Sequence, residues 1–441
     1  FSAAPQTIDI DGISATLNMG AGTVATPLQS VSVIGLNVEV LGFVTLSGDF
    51  GFRKAGGNIE AAAENVSAAL VAGPLEVGVD NGSLALLLNA DTTKAIQASG
   101  DLRFIVDGFG SATGTATVKM NTTGVDFSAA PQTIDIDGIS ATLNMGAGTV
   151  ATPLQSVSVI GLNVEVLGFV TLSGDFAFRK AGGNIEAAAE NVSAAHVAGP
   201  LEVGVDNGSL ALLLNADTTK AIQASGDLRF IVDGFGSATG TATVKMNTTG
   251  VDFSVAPQTI DIDGISATLN MGAGTVATPL QSVSVIGLNV EVLGFVTLSG
   301  DFGFRKAGGN IEAAAENVSA ALVAGPLEVG VDNGSLALLL NADTTKAIQA
   351  SGDLRFIVDG FGSATGTATV KMNTTGVDFS AAPQTIDIDG ISATLNIGAG
   401  TVATPLQSVS VIGLNVEVLG FVTLSGDFGF RKAGGNIEAA A

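Results

Sequence analysis

The sequence predicts an all-β fold: an elongated tandem-repeat array of short, mostly antiparallel strands, continuous in the manner of a β-sandwich or solenoid. Three observations carry this. The string FSAAPQTIDIDG or a near-twin begins at Phe1, Phe127, Phe253 and Phe379, a period of 126 residues that fits three and a half times into 441. Apolar and polar residues alternate with period two over brief segments. Asn-Gly, Asp-Gly and Asx/Thr clusters punctuate those segments as turns do. The repeats are 1–126, 127–252, 253–378 and a half repeat, 379–441.

Within the first repeat, LEVGV (Leu75 to Val79), SLALLL (Ser83 to Leu88), DLRFIV (Asp101 to Val106) and TATVKM (Thr115 to Met120) read as strands. Asp80-Asn81-Gly82 between the first two predicts a hairpin, because Asn-Gly supplies the positive φ of a tight turn. Asn89-Ala90-Asp91-Thr92 predicts a second hairpin sharing its central strand. Ser99-Gly100, Asp107-Gly108 and Asn121 to Gly124 complete the turn set. This spacing implies about ten to twelve short strands per repeat, divided between two layers. Ile59 to Gly73 is ambiguous: its Ala-rich composition suits one short helix per repeat, and it also reads as a strand. Pro74 ends it either way. GFVTLSGDFGFRK (Gly42 to Lys54) aligns with GFGSATGTATVKM (Gly108 to Met120), so each repeat reads as two diverged modules of about 63 residues. The junction NTTGVDFSAAPQTIDID has no flexible linker composition, which favours a continuous array over separate beads. The last residue matches Ala63 of the first repeat, which reads as a segment of a longer array.

Composition excludes several function classes. There is no Cys, Trp or Tyr, and one His. No disulfide scaffold, thiolate enzyme or Cys-ligated metal site can be built. The 41 acids against 17 bases give a net charge of −24, which disfavours phosphate-neutralising nucleic-acid binding. Hydrophobic residues make up 46%, too many for an acidic disordered chain. The longest uncharged stretch, Ile13 to Val38, contains Pro27, Asn18 and Gln29, so no transmembrane helix is expected. With general bases and nucleophiles nearly absent, and with no nucleotide or hydrolase motif, an enzyme is not expected.

The copies differ at four positions: Ala3 (Val255), Met19 (Ile397), Gly51 (Ala177) and Leu70 (His196). His196 replaces an apolar residue in one copy, which predicts a drifted, partly buried core position. Asp9, Asp11, Asp80 and Asp91 are acids at turns. Turn chemistry explains them, and Ca²⁺ ligation is the alternative, since Ca²⁺ takes oxygen ligands from loops. No EF-hand loop is present. Asn65, Asn81 and Asn121 begin glycosylation tripeptides. Phe1, Phe43, Phe50, Phe52, Phe104 and Phe109 predict aromatic core packing; the alternative is a hydrophobic groove with Arg53, Lys54 and Arg103 at its mouth.

The stretch LEVGVDNGSLALLLNADTTKAIQASGDLRF, followed by TGTATVKMNTTG, resembles the tandem modules of giant bacterial surface proteins, adhesin-like or matrix-forming. The resemblance implies an extracellular or cell-surface location and a spacer, adhesive or filament role. The calcium motifs frequent in such modules are not matched residue by residue. The expected function is therefore an extended stalk or self-assembling fibre whose partner is itself, end to end or laterally. A bacterial adhesin module holding Ca²⁺ or a surface ligand is the alternative.

Overall fold

The computed structural model describes residues 3–441, and every regular element among them is a β-strand. The chain forms two compact units, Phe1–Ala188 with Asp261–Ile265, and Ala189–Ile260 with Ser266–Ala441. The first unit opens with a hairpin of β1 (Gln6–Ile10) and β2 (Ile13–Leu17). Then come β3 (Gln29–Val40), β4 (Val44–Ala55), β5 (Asn58–Ala72), β6 (Leu75–Leu88), β7 (Lys94–Val106) and β8 (Gly110–Thr123). The second repeat adds a hairpin of β9 (Gln132–Ile136) and β10 (Ile139–Leu143), followed by β11 (Thr149–Val166) and β12 (Val170–Ala181). The division between units falls within β13 (Asn184–Ala198). The second unit contains β14 (Leu201–Leu214), β15 (Lys220–Val232) and β16 (Gly236–Thr249). A third hairpin, β17 (Gln258–Ile262) and β18 (Ile265–Leu269), precedes β19 (Thr275–Val292), β20 (Val296–Ala307), β21 (Asn310–Ala324), β22 (Leu327–Leu340), β23 (Lys346–Val358) and β24 (Gly362–Thr375). The fourth hairpin is β25 (Gln384–Ile388) and β26 (Ile391–Leu395), before β27 (Thr401–Val418), β28 (Val422–Ala433) and β29 (Asn436–Ala440).

In the first unit β3 to β8 pair in sequence order, all antiparallel. The ladder then crosses the repeat boundary, because β8 pairs with β11 from Val118↔Val157 outward. In the second unit β16 pairs with β19, and β24 with β27, in the same way. The tandem antiparallel array expected from the period is thus present within each unit, and no linker separates neighbouring repeats. The second layer consists of the short hairpins alone. Each repeat has eight strands, two short and six long, rather than ten to twelve.

The reason for the longer strands lies at Asn81-Gly82. This pair does not make a hairpin. β6 runs unbroken from Leu75 to Leu88, and Asn81 places its φ of 51° at a bulge, where the register against β7 shifts between Asp80 and Ser83. A bulge inserts one unpaired residue and reverses the inside-outside parity of the residues beyond it. Leu75, Val77 and Val79 are odd-numbered and Leu84, Leu86 and Leu88 even, yet the bulge returns all six to one face. Asn65 (φ 54°) does the same within β5. Ser99-Gly100, expected as a turn, lies inside β7. The hairpin expected at Asn89 to Thr92 is formed, with the Asn89 N–H donating to the Thr93 carbonyl at 2.9 Å. Ile59 to Ala72 is strand β5 and not a helix, paired along its length with β4 and β6.

The core sits between the two layers. In the first unit Ile134, Ile136, Ile139 and Leu143 of the β9–β10 hairpin pack with Ala62, Ala85, Leu87 and Ala95, a platform of mostly small residues on the preceding repeat's sheet. Gly51 belongs to that platform: a Cβ there would lie 2.9 Å from the Ile136 Cβ. Its counterpart Ala177 is fully buried, so that copy holds one methyl more at this position. In the second unit Ile386, Ile388, Ile391 and Leu395 pack with Ala314, Ala337, Leu339 and Ala347. The β1–β2 hairpin has the same sequence and register, yet Ile8, Ile10 and Ile13 are 43%, 66% and 80% exposed, against 1% for Ile134, Ile136 and Ile139. Local propensity forms the hairpin; the preceding repeat buries it.

The sheet's other face is bare. Row by row, Val31–Phe52–Ala61–Leu86–Ile96–Met120 and Val44–Leu70–Val77–Phe104–Ala112 run across the first repeat. Phe43, Phe52, Phe104 and Phe109 are about half exposed and Phe50 is intermediate, so they are not core residues. Phe1 lies outside the described residues, but its counterparts Phe127, Phe253 and Phe379 are buried. Leu70 and Leu322 are exposed, and so is His196, which is therefore not a partly buried core position.

Because identical residues differ in burial, identical substitutions should differ in cost. Ile136→Ala is expected to destabilise the array by about 2–4 kcal/mol, and Ile10→Ala by less than about 0.5 kcal/mol. Chemical denaturation of the two variants measures this, and equal costs would contradict the burial by the preceding repeat.

Candidate functional site

The four acids singled out in the sequence stand at three different places. Asp9 and Asp11 form the β1–β2 turn. Asp11 has φ 53° and Gly12 φ 88°, and Asp9 Oδ1 accepts from the Gly12 N–H at 3.2 Å. Asp80 sits at the β6 bulge. It accepts from the Ser67 hydroxyl at 2.5 Å and pairs with Arg103, whose Nε also meets Glu76 at 2.6 Å. Asp91 caps its own turn, accepting from the Thr93 N–H at 3.0 Å and the Thr93 hydroxyl at 2.6 Å. Among the described residues no three acidic or histidine side chains converge on a point that could hold a metal ion. The carboxylates of Asp9, Asp80 and Asp91 are engaged one by one, with a backbone N–H, with a hydroxyl and a guanidinium group, and with a hydroxyl and its own turn's N–H respectively.

The hairpin acids acquire a different role where a preceding repeat is present. In the first unit, Asp263 at the tip of the third hairpin accepts from Lys119 Nζ at 2.5 Å and from the Ser158 hydroxyl at 3.0 Å. Arg179 donates to the Asp261 carbonyl at 2.9 Å and binds Glu186 through the same guanidinium. In the second unit, Lys245 and Ser284 hold Asp389 at 2.5 and 2.9 Å. The Lys119 and Asp263 side chains are 13% and 15% exposed, so this pair is shielded from the screening that weakens surface ion pairs. The clamp therefore joins three successive repeats: the lysine from one, the serine from the next, the aspartate from the third. Sequence spacing gives no sign of it, since Lys119 and Asp263 are far apart in the chain.

Asn121 seals the junction from inside. Fully buried, it donates to the carbonyls of Val125 at 2.7 Å and Gly146 at 2.8 Å, and its Oδ1 accepts from the Thr123 N–H and hydroxyl. All its hydrogen-bonding capacity toward protein is used, which makes burial of an amide tolerable. Its glycosylation tripeptide is accordingly inaccessible in the folded chain. Asn65 and Asn81 are exposed, with their amides donating to Asp49 and Asp101.

An open groove recurs on the bare sheet face. In the second unit it measures about 420 Å³ and is lined by Val244, Met246, Val283, Phe304, Lys306 and Ile311 among others. Lys306 is the counterpart of Lys54, and Arg305, the counterpart of Arg53, also borders it. Arg103 does not: it lies in the ion-pair network on the polar face. No protein-family model matches the chain, and no curated protein sequence is similar to it.

Two measurements test these arrangements. Hydrogen bonds from Ser67, and then Arg103, hold Asp80 below the usual aspartate range, and the Thr93 hydrogen bonds do so for Asp91. Groups with lowered folded pKa contribute stability above the ordinary value and lose it as pH falls through the lowered one. The wild type should therefore lose melting temperature relative to an Asp91→Asn, Asp217→Asn, Asp343→Asn variant as pH falls below about 4. A gap that does not change with pH would contradict the shift. Lys245→Met is expected to cost about 1–3 kcal/mol by stranding Asp389, read by thermal denaturation. No measurable cost would show that the clamp adds nothing.

Proposed function

We propose that the chain is a structural protein of the bacterial cell exterior, an array that serves as a stalk or assembles with itself into a fibre. It has no catalytic role in this reading. The observation that carries it is the interlocking of repeats. The ladder passes from β8 to β11 across a repeat boundary, and the second repeat's hairpin is buried on the first repeat's sheet. Within a unit, successive repeats that share backbone hydrogen bonds and core support one another against bending and pulling. Near-identical copies each contribute the same increment of length, which suits a spacer better than a machine with one reaction centre.

The absence of cysteine agrees with mechanical continuity supplied by sheet and clamp rather than by disulfides. No helix among the described residues is long and apolar enough to cross a membrane. The adhesin reading draws on a single feature, the groove on the bare face, whose Phe304 and Lys306 could meet an apolar ligand with an anionic end.

Electron micrographs of purified protein, with and without chelator, separate the two. Stiff rods or fibres of uniform width, unaffected by EDTA, are the expected result. Flexible strings of separate beads, or rods that soften on chelation, would overturn the structural reading in favour of a metal-dependent adhesin.

A further inference from the structure

We infer that the bare face of the sheet is a pairing surface for a second copy of this chain, packed face to face with the strand direction reversed. The inference deepens the structural reading and rests on it. The first ground is the composition of the face. From Ile96 to Val106, alternate residues of the regular strand β7 (Ile96, Ala98, Gly100, Leu102, Phe104, Val106) point to it, and none is polar. The bulges at Asn65 and Asn81 keep β5 and β6 in step, so the apolar rows continue across neighbouring strands. In β3 to β8 every acid of the strands falls on the opposite face, where Glu76, Asp80 and Asp101 are bonded to Arg103, Ser67 or Asn81. A chain of net charge −24 has left this one surface without a carboxylate.

The second ground is area. Six strands about 4.8 Å apart, with ten residues at about 3.3 Å each, make a patch on the order of 1,000 Å² per repeat. Stable interfaces need about 800 Å² per partner, and monomers seldom expose contiguous apolar patches beyond a few hundred. One repeat already suffices. Phe52 and Phe104 are about half exposed as the chain stands, while Ala61 opposite Phe52 and Ala63 opposite Phe50 are almost wholly shielded, hollows between taller side chains. Sheets pack about 10 Å apart with such knobs and hollows interdigitating. The acids would then lie on the outer surfaces of the pair, about a Debye length or more from their counterparts, where salt screens their repulsion.

The third ground fixes orientation. Lys54 and Lys94 close the face at one end of the strands and make no ion pair among the described residues. Asp107 stands exposed in the β7–β8 turn at the other end. A two-fold axis that reverses strand direction sets the lysine end of one copy over the aspartate end of the other. The alternative axis would set lysine over lysine. A two-fold arrangement uses the same patch twice and closes on itself.

Sedimentation equilibrium of the intact chain tests this, with the expected mass twice 43.6 kDa. Phe104→Asp, Phe230→Asp and Phe356→Asp together should raise the dissociation constant at least about 100-fold by burying unpaired charge. These residues are 46% exposed in the single chain, so the β circular-dichroism signal should be retained. Should that variant lose the signal, Phe52→Ser, Phe178→Ser and Phe304→Ser give the same readout by a milder route. Replacing Lys54, Lys180 and Lys306 by Glu should weaken the pair, and adding Asp107→Lys, Asp233→Lys and Asp359→Lys should restore it. A wild type that stays monomeric, or a folded Phe→Asp variant that stays dimeric, would overturn the pairing. So would a monomer that floats with phosphatidylcholine vesicles, which would assign the face to lipid. A stiff monomeric rod would remove the pairing while leaving the stalk reading; a floppy chain would remove both.

Discussion

Burial of four large aliphatic side chains from one repeat on a floor of small residues from the repeat before it is the constraint on which the rest depends. Ile134, Ile136, Ile139 and Leu143 are almost wholly shielded, and each buried side chain of this size contributes about 1.5–3 kcal/mol. The floor must be low, which is why Ala62, Ala85, Ala95 and Gly51 occupy it. A two-stranded hairpin in water is marginal by itself, and the β1–β2 copy shows how much apolar surface such a hairpin leaves open. The lysine-serine-aspartate clamp and Asn121 are secondary. They satisfy polar groups that the docking would otherwise strand, and so fix the position of a contact that the isoleucines drive.

Much of the fold is legible in the residues. The period, the strand alternation and the linker-free junction point to an antiparallel array whose copies are joined, and the Asn89–Thr93 hairpin stands where the turn chemistry puts it. The hairpin expected at Asp80 to Gly82 and the helix considered at Ile59 to Gly73 share one cause. Asn-Gly at 81–82 supplies a positive φ, and both hairpins and bulges use it. The distinguishing signal is the parity of the flanking apolar residues, which switches from odd to even across the bulge. Tracking that switch yields one long strand with a single apolar face, and it moves Phe52 and Phe104 from the core to the bare surface. The helical face in Ile59 to Leu70 is the same parity switch, located at Asn65.

The candidate site is less legible. Asp9 and Asp11 read as acids at turns, but their counterparts Asp261 and Asp263 reach partners 82 and 144 residues away, Asp261 through its carbonyl and Asp263 through its carboxylate. No local pattern encodes a contact between residues so distant in sequence. What local sequence does encode is the segregation of charge. Bulges and alternation together place the carboxylates on the hairpin side of the sheet and keep the other side apolar, so electrostatics and the hydrophobic effect divide the two faces between them. β3 and β11 make the same point about context. They share a sequence, but β11 extends over 18 residues against 12 because β8 supplies a partner for its first residues.

Hydrogen exchange of the hairpin peptide IDIDGISATLN tests the central dependence most directly, since all four copies yield this same peptide. If the preceding repeat buries the hairpin, the mass envelope splits in two: one fast-exchanging copy, with Ile8, Ile10 and Ile13 open to solvent, and three slow ones. A single envelope, with all four copies exchanging at one rate, would show that the hairpin holds itself together and that the repeats do not protect one another.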